Sequence, residues 1–104
     1  MERTISPEHL KAQLANTLIL DVRRQNDYDA SSEAVPGSAW KNPDQIDTWL
    51  AGIPKDRDIV IYCVRGGSVS NSVLDKLQAA GAKARFIDGG IEGWKAGGGK
   101  VNQK

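Results

Sequence analysis

Cysteine, histidine and long apolar runs are scarce in this chain. Its 104 residues include one cysteine, Cys63, and one histidine, His9. A single cysteine excludes an internal disulfide, a CxxC redox pair and a cysteine-rich zinc site. The longest apolar run near the centre, "IVIYCV", is far too short to span a membrane. Because the opening "MERTISPEHL" lacks the apolar core of a signal peptide, we expect a reduced, cytoplasmic setting and no membrane partner.

An excess of charge of one sign is also lacking. Fourteen Lys and Arg residues face thirteen Asp and Glu residues, which gives a formal net charge of +1. No long block of like charge occurs, so the sequence gives little support for a nucleic-acid partner. Any attraction for an anionic substrate must therefore be local.

The sequence does contain a regular alternation of strand and helix signals. Short apolar runs predict buried strands over 17–22 and 58–63, and "ARFID" predicts a third strand over 84–88. Helix signals fall at 5–16, 42–52 and 68–81, with a short helical turn over 89–98. Connections of this length predict an α/β fold, with a mostly parallel sheet covered by helices on both faces. We expect a single domain over 1–104, with a core of about 5–98 and a flexible polar tail over 99–104.

Capping residues and apolar spacing support the predicted helices. Ser6 followed by Pro7, and Asn42 followed by Pro43, are each typical of a helix start. The helix over 68–81 has the clearest apolar face, and Gly81 is expected to end it. Its apolar residues follow the spacing of a helix: Val69, Val73, Leu74 and Leu77.

Cys63 lies where an open α/β fold places its ligand site, beyond the carboxyl end of a strand. The loop 64–68 then leads into the best helix, and its adjacent Gly66 and Gly67 can adopt positive φ, which lets backbone N–H groups converge. The helix N-terminus adds unsatisfied donors and the positive end of its dipole. Such surroundings favour a thiolate, and Arg65 offers a charge to an incoming anion.

A simpler interpretation of Cys63 is a small core residue at the end of a buried strand. On the strand alone that interpretation is favoured, but the order strand, cysteine, glycine-rich turn and helix reverses the preference. Asp21 and Arg23 follow another strand end, where they could shape the site electrostatically. We favour a structural hydrogen-bond and salt-bridge network for this pair, in a supporting role.

Two long stretches resemble the rhodanese-like domain family. "LILDVRRQNDYDASSEAVPGSAW" is similar to its N-terminal signature, in which Asp-Val-Arg follows a strand and a Pro-Gly turn comes later. "IVIYCVRGGSVSNSVLDKLQAAGAKARFIDGGIEGWKAGG" is similar to its active-site loop, the following helix and the closing Gly-Gly-x-x-x-Trp. The similarity runs from about Ile5 to Gly98, and several motifs occur in the family's order.

The resemblance implies a rhodanese-like fold and a sulfurtransferase. It makes Cys63 the nucleophile, which carries a sulfane sulfur as a persulfide from thiosulfate or a persulfide donor to cyanide or a thiol. A protein could also be the sulfur acceptor. The loop residues would bind the donor and stabilise the sulfur anion: Val64, Arg65, Gly66, Gly67 and Ser68. A covalent intermediate on one sulfur requires no metal and no organic cofactor.

The sequence departs from the family pattern at two places. Many relatives carry arginine where this chain has Ser68, so Arg65 is the loop's only positive charge. The family's Gly-His-Ile-Pro-Gly is "EAVPG" here, with Glu33 and Ala34 in place of Gly-His. We interpret the first change as one that affects donor preference and the second as mostly structural.

Two other functions compete with sulfur transfer. A phosphatase or arsenate reductase on this scaffold needs cysteine, five residues and then arginine, but the sixth residue after Cys63 is Val69. A non-catalytic interaction or regulatory module is the stronger alternative, although degenerate members of the family usually lose the cysteine. The sequence therefore favours an enzyme and leaves its physiological donor and acceptor open.

Overall fold

The computed structural model describes residues 3–65 and 67–103. Within them the strands are β1 (Thr4–Ile5), β2 (Leu18–Asp21), β3 (Glu33–Ala34), β4 (Ala39–Trp40), β5 (Asp58–Tyr62), β6 (Lys83–Ile87) and β7 (Asn102–Gln103). The helices are α1 (Pro7–Gln13), α2 (Gln25–Ala30), α3 (Ile46–Trp49), α4 (Ser68–Ala79) and α5 (Gly90–Ala96). Single 3₁₀ turns follow α1 and flank α3. None of these described helices has both the length and the apolar character to cross a membrane.

Five strands form one parallel sheet in the order β1-β6-β5-β2-β4. β5 occupies the centre, and it pairs with β2 in a register that sets Leu18 opposite Ile59 and Asp21 opposite Tyr62. The predicted α/β class with a parallel sheet is confirmed. Since all five strands run in one direction, their carboxyl ends meet at one edge, where a ligand site is expected.

The strands bury both faces, as continuous apolar runs predict. Along β5, Ile59 and Ile61 pack into one cluster while Val60 and Tyr62 pack into the other. The first cluster receives α4 through Val73, Leu74 and Leu77, together with Ile46 and Ile53. The second receives α1 and α5 through Leu10, Ile91 and Trp94, together with Val35. Helices therefore cover both faces, as predicted.

The helix starts match the capping signals in the sequence. The Ser6 hydroxyl accepts a hydrogen bond from the His9 N–H, and the Asn42 side chain accepts one from the Asp44 N–H. Each cap is followed by proline in the first turn, where no N–H is needed. Gly81 follows α4 with a φ of +88°, a left-handed conformation that suits glycine at a helix end.

Two edge strands and one helix were not predicted from the sequence. β1 and β4 contain two residues each, too few to produce an apolar pattern. α2 has no buried residue, so its six residues show no apolar face and look like a polar loop. β1 and β4 are held by backbone pairing with β6 and β2.

The structure differs from the prediction of a flexible tail over 99–104. Asn102–Gln103 forms β7, which pairs antiparallel with β3, Glu33–Ala34. The chain before it is held by the Trp94 Nε1–H, which donates to the Lys100 carbonyl at 2.7 Å. Both side chains of β7 are exposed, so its residues show no apolar pattern that would predict a strand. Backbone pairing with β3 and the Trp94 indole hold this segment instead.

Candidate functional site

Cys63 directly follows the central strand β5, and 6% of it is exposed. It lines an open pocket of about 390 Å³ at the carboxyl edge of the sheet. The other residues that line this cysteine pocket are Arg24, Asp27, Val64, Arg65, Gly67 and Val69. The structure thus brings together Cys63, Val64, Arg65 and Gly67, which the sequence analysis had grouped.

Ser70 contacts the sulfur and was not identified from the sequence. Its hydroxyl donates to Cys63 Sγ at 3.0 Å, and the residue is fully buried in the first turn of α4. A buried hydroxyl on a sulfur stabilises negative charge there. One feature of the sequence could have indicated a role for Ser70. Position 70 shares a helix face with Val73, Leu74 and Leu77, so this serine lies on the apolar side of α4.

The loop after Cys63 does not use glycine in the way the sequence suggested. Gly67 has φ −90°, so it does not adopt the left-handed conformation that would turn its N–H inward, and a Cβ there would meet nothing within 4 Å. Its carbonyl accepts hydrogen bonds from the Asn71 backbone N–H at 3.2 Å and from Asn71 Nδ2 at 3.1 Å. Gly66 and the side chain of Ser68 lie outside the described residues.

Helix α5 is hydrogen-bonded to the start of this loop. The N–H groups of Ile91 and Glu92 donate to the carbonyls of Cys63 and Val64 at 3.0 and 3.1 Å. Those donors belong to the first turn of α5, where a helix has no partner of its own for them. Gly90 makes the approach possible: it has φ +63°, and a Cβ there would lie 2.6 Å from the Val64 oxygen and closer still to that of Cys63.

Asp21 and Arg23 form a buried ion pair beside the site. Both side chains are 1% exposed, and Arg23 Nη2 lies 2.6 Å from Asp21 Oδ2. Arg23 also donates to the Glu33 carbonyl at 3.0 Å, which ties the start of β3 to the end of β2. Burial alone lowers the pKa of Arg23, but the hydrogen bonds and charge of Asp21 outweigh it and raise that pKa above its ordinary value. The predicted network is present.

Tyr62, the residue before Cys63, is fixed and neutral. Its hydroxyl accepts from the Val35 N–H at 3.2 Å and lies 2.9 Å from the Ser38 hydroxyl. Burial, assisted by the charge of Asp21, raises the pKa of Tyr62 to about 12. Tyr62 therefore anchors the 35–38 turn to β5 and does not act as an acid near neutral pH.

The remaining predicted positions differ in their surroundings. Arg65 is exposed on the wall of the cysteine pocket. Val69 is half-buried against the α4 side of the core, and it brings an apolar surface where a phosphate-binding loop would need a charge.

Comparisons with known proteins point to one family. The family model described as "Rhodanese-like domain" matches residues 6–97. "Thiosulfate sulfurtransferase GlpE" of Tolumonas auensis is 30% identical over 84 residues, which cover 80% of this chain and 76% of that protein. "Adenylyltransferase and sulfurtransferase UBA4" of Yarrowia lipolytica is 31% identical over 89% of this chain, but the chain spans only 24% of that relative.

A solved structure gives the same answer for the fold. The rhodanese-related protein of Thermoplasma volcanium superimposes with a TM-score of 0.87 at 19% identity, covering 99% of this chain and 100% of the other. Identity at that level bears on the fold alone, whereas the family model covers most of the sequence. The chain is therefore a member of the rhodanese-like domain family.

Proposed function

We propose that this protein is a sulfurtransferase that moves a sulfane sulfur from thiosulfate or a persulfide donor to cyanide or a thiol. The observation that carries the proposal is the Cys63 sulfur itself, which lines an open pocket and accepts a hydrogen bond from the buried Ser70 hydroxyl at 3.0 Å. Relatives named as sulfurtransferases support the same activity. The chain's sole cysteine is sufficient for it.

The reaction has two displacements on sulfur. The Cys63 thiolate attacks the outer sulfur of thiosulfate, the S–S bond of the donor breaks, and sulfite leaves with the electron pair. Cys63 then carries the outer sulfur as a persulfide. The acceptor, cyanide for example, attacks that outer sulfur, and the S–S bond to Sγ breaks. Thiocyanate leaves, and Cys63 is again a thiolate.

Residues around Cys63 bind the donor and stabilise negative charge on sulfur in this reaction. Arg65 is exposed on the pocket wall, where it attracts the anionic donor. The backbone N–H groups of Val64 and Arg65 stabilise the thiolate and the persulfide. Asp21 and Arg23 support the site from behind by holding the strand ends together. Ser70 stabilises Sγ when it leaves as a thiolate in the second displacement.

Mass spectrometry of the wild-type protein tests the proposal. Incubation with thiosulfate should add one sulfur atom to the intact protein, and cyanide should then remove it and release thiocyanate. Prior alkylation with iodoacetamide is the control, because Cys63 is the only thiol in the chain. Absence of an adduct with thiosulfate, polysulfide and glutathione persulfide alike would contradict an enzyme and favour a non-catalytic interaction module.

Replacing Arg65 should affect an anionic donor most. Arg65 is exposed on the pocket wall, so its charge acts through a solvent-screened attraction. We expect Arg65→Gln to raise the KM for the thiosulfate dianion by about threefold and to raise the KM for an alkyl persulfide, which carries at most one negative charge, by less. Steady-state kinetics with both donors measures this, and equal changes in the two KM values would remove Arg65 from donor binding.

Ser70→Ala should slow the chemistry without unfolding the domain. Removing a charge-assisted hydrogen bond on Sγ should reduce both thiocyanate production and alkylation of Cys63 by iodoacetamide at pH 7 by about tenfold. Ser70→Thr should restore part of the rate because it keeps the hydroxyl. The exposed Ser32→Ala is the control. If Ser70→Ala lowers only the melting temperature and leaves alkylation unchanged, the contact is merely structural.

A further inference from the structure

A second cavity adjoins the cysteine pocket. This cleft, with a volume of about 250 Å³, lies between the start of α3 and one face of α4. Arg24 and Val69 line both the cleft and the cysteine pocket, so the two cavities are adjacent. The residues that line the cleft are Arg24, Pro43, Asp44, Ile46, Val69, Ser72, Val73 and Lys76. A molecule seated there can present a group to Cys63.

The cleft has an apolar floor and a charged rim. Ile46 and Val73 are 5% and 4% exposed, and they belong to the core on this face of the sheet. Lys76, Arg24 and Asp44 are exposed at the rim. Over residues 3–65 and 67–103, the salt bridges of the structure involve none of these three side chains. They present two positive charges and one negative charge to a ligand.

The distance between Val69 and Lys76 along α4 indicates how long a ligand of the cleft must be. Val69 and Lys76 are seven residues apart on one helix face, about 10 Å at 1.5 Å per residue. Val69 lines both the cleft and the cysteine pocket, whereas Lys76 lines the cleft alone. Thiosulfate or cyanide is far too small to reach from one to the other. An organic molecule of small-peptide size spans that distance, and it can use the apolar floor.

The cavity on the other side of the cysteine pocket is less suitable for an anion. It shares Asp27 and Val64 with the cysteine pocket and carries the carboxylates of Glu33 and Glu92. Lys95, which could balance them, is already paired with Glu33 at 2.7 Å. An anionic substrate is therefore favoured on the α3–α4 side.

We propose that the α3–α4 cleft binds the sulfur acceptor, and that this acceptor is a peptide-sized thiol with carboxylate groups. Its thiolate would reach the persulfide on Cys63, while one carboxylate pairs with Lys76 and another group of the ligand lies near Arg24. Asp44 would accept an ammonium group of the same molecule. This inference rests on the proposed sulfur transfer, and it adds the position of the acceptor and the side chains that recognise its charged groups.

Discharge of the persulfide form tests the proposal. The protein is first charged with thiosulfate, and the loss of the sulfur adduct is then followed with glutathione or with glutathione diethyl ester, which has the same thiol but no carboxylates. Lys76→Gln should slow discharge by glutathione by about threefold and leave the ester and cyanide unchanged. High salt should remove the wild-type preference for glutathione over its ester.

Lys83→Gln provides the matched control, since Lys83 is exposed on β6 and lines neither cavity. If Lys76→Gln and Lys83→Gln behave alike, or if glutathione and its ester react equally with the wild type, the acceptor does not bind in this cleft. If the acceptor site fails this test but cyanide still removes sulfur from Cys63 at the normal rate, the sulfurtransferase proposal stands.

A second measurement requires no catalysis. S-methylglutathione, which cannot accept sulfur, should shift the backbone NMR signals of Ile46, Val73 and Lys76 in the wild type, and the shifts should weaken in Lys76→Gln. Absence of any shift in the cleft would overturn the binding site, whatever the kinetics show. Shifts without a sulfur adduct on Cys63 would support the site and contradict the sulfurtransferase.

Discussion

Cys63→Ser is expected to lower the rate of thiocyanate formation by at least a factor of about a thousand. A serine hydroxyl is a far weaker nucleophile than a thiolate near neutral pH, and its oxygen cannot form a persulfide. The variant should also show no gain in mass after incubation with thiosulfate. Thiocyanate assays and intact-mass spectra on the same preparation measure both effects.

The same substitution should leave the fold intact. Serine is close in size to cysteine, and at 6% exposure it remains within reach of the Ser70 hydroxyl, so a new buried hydroxyl would be hydrogen-bonded. The melting temperature should therefore change little. A variant that melts normally but still forms a sulfur adduct, or still turns over near the wild-type rate, would show that Cys63 is not the sulfur carrier.

Gly90→Ala should lower the free energy of unfolding by about 3 kcal/mol. One part is the cost of a left-handed conformation for a residue with a side chain, about 1–2 kcal/mol. The other part is the collision of the new methyl group with the carbonyls of Cys63 and Val64. Denaturant unfolding measures the loss. Because those carbonyls belong to the site, turnover of the folded fraction should fall as well.

Two other glycines separate these contributions. Gly37 has φ +79° with nothing within 4 Å of a new Cβ, so Gly37→Ala should cost only the conformational part, about 1–2 kcal/mol. Gly52 has open space and no positive φ, and Gly52→Ala should stay within about 0.5 kcal/mol of the wild type. If Gly90→Ala is no less stable than Gly37→Ala, the close contact between α5 and the loop does not constrain the site.

The sequence predicts the central strands of the fold, but it does not predict the short peripheral strands and α2. β2 and β5 are buried on both faces, and their continuous apolar runs predict them to within a residue or two. The predicted bounds of β6 are equally close, although Lys83 and Arg85 interrupt its apolar residues. The two-residue edge strands and α2 have no such pattern, because neighbouring backbone specifies them and their own side chains do not. The polar β7 was missed for the same reason.

The sequence likewise predicts some residues of the candidate site and not others. Cys63 and its loop could be found because a strand end, a glycine pair and a helix start are contiguous in sequence. Ser70 was missed because its role depends on how the first turn of α4 is rotated toward the sulfur. Gly90 was missed because its contact joins two segments that are distant in the chain and close only after folding. The backbone donors expected at Gly67 depend on a torsion angle that no sequence pattern determines.

The position of β5 in the sheet has a consequence for local unfolding. Sheets usually open from their edges, so amide protons of a central strand exchange with solvent mainly through larger openings. Here two strands lie on either side of β5, and the outermost ones pair through only two residues each. Fraying of β1 or β4 leaves the strand that carries the sulfur paired on both sides. The nucleophile therefore keeps its position during the most frequent fluctuations of the domain.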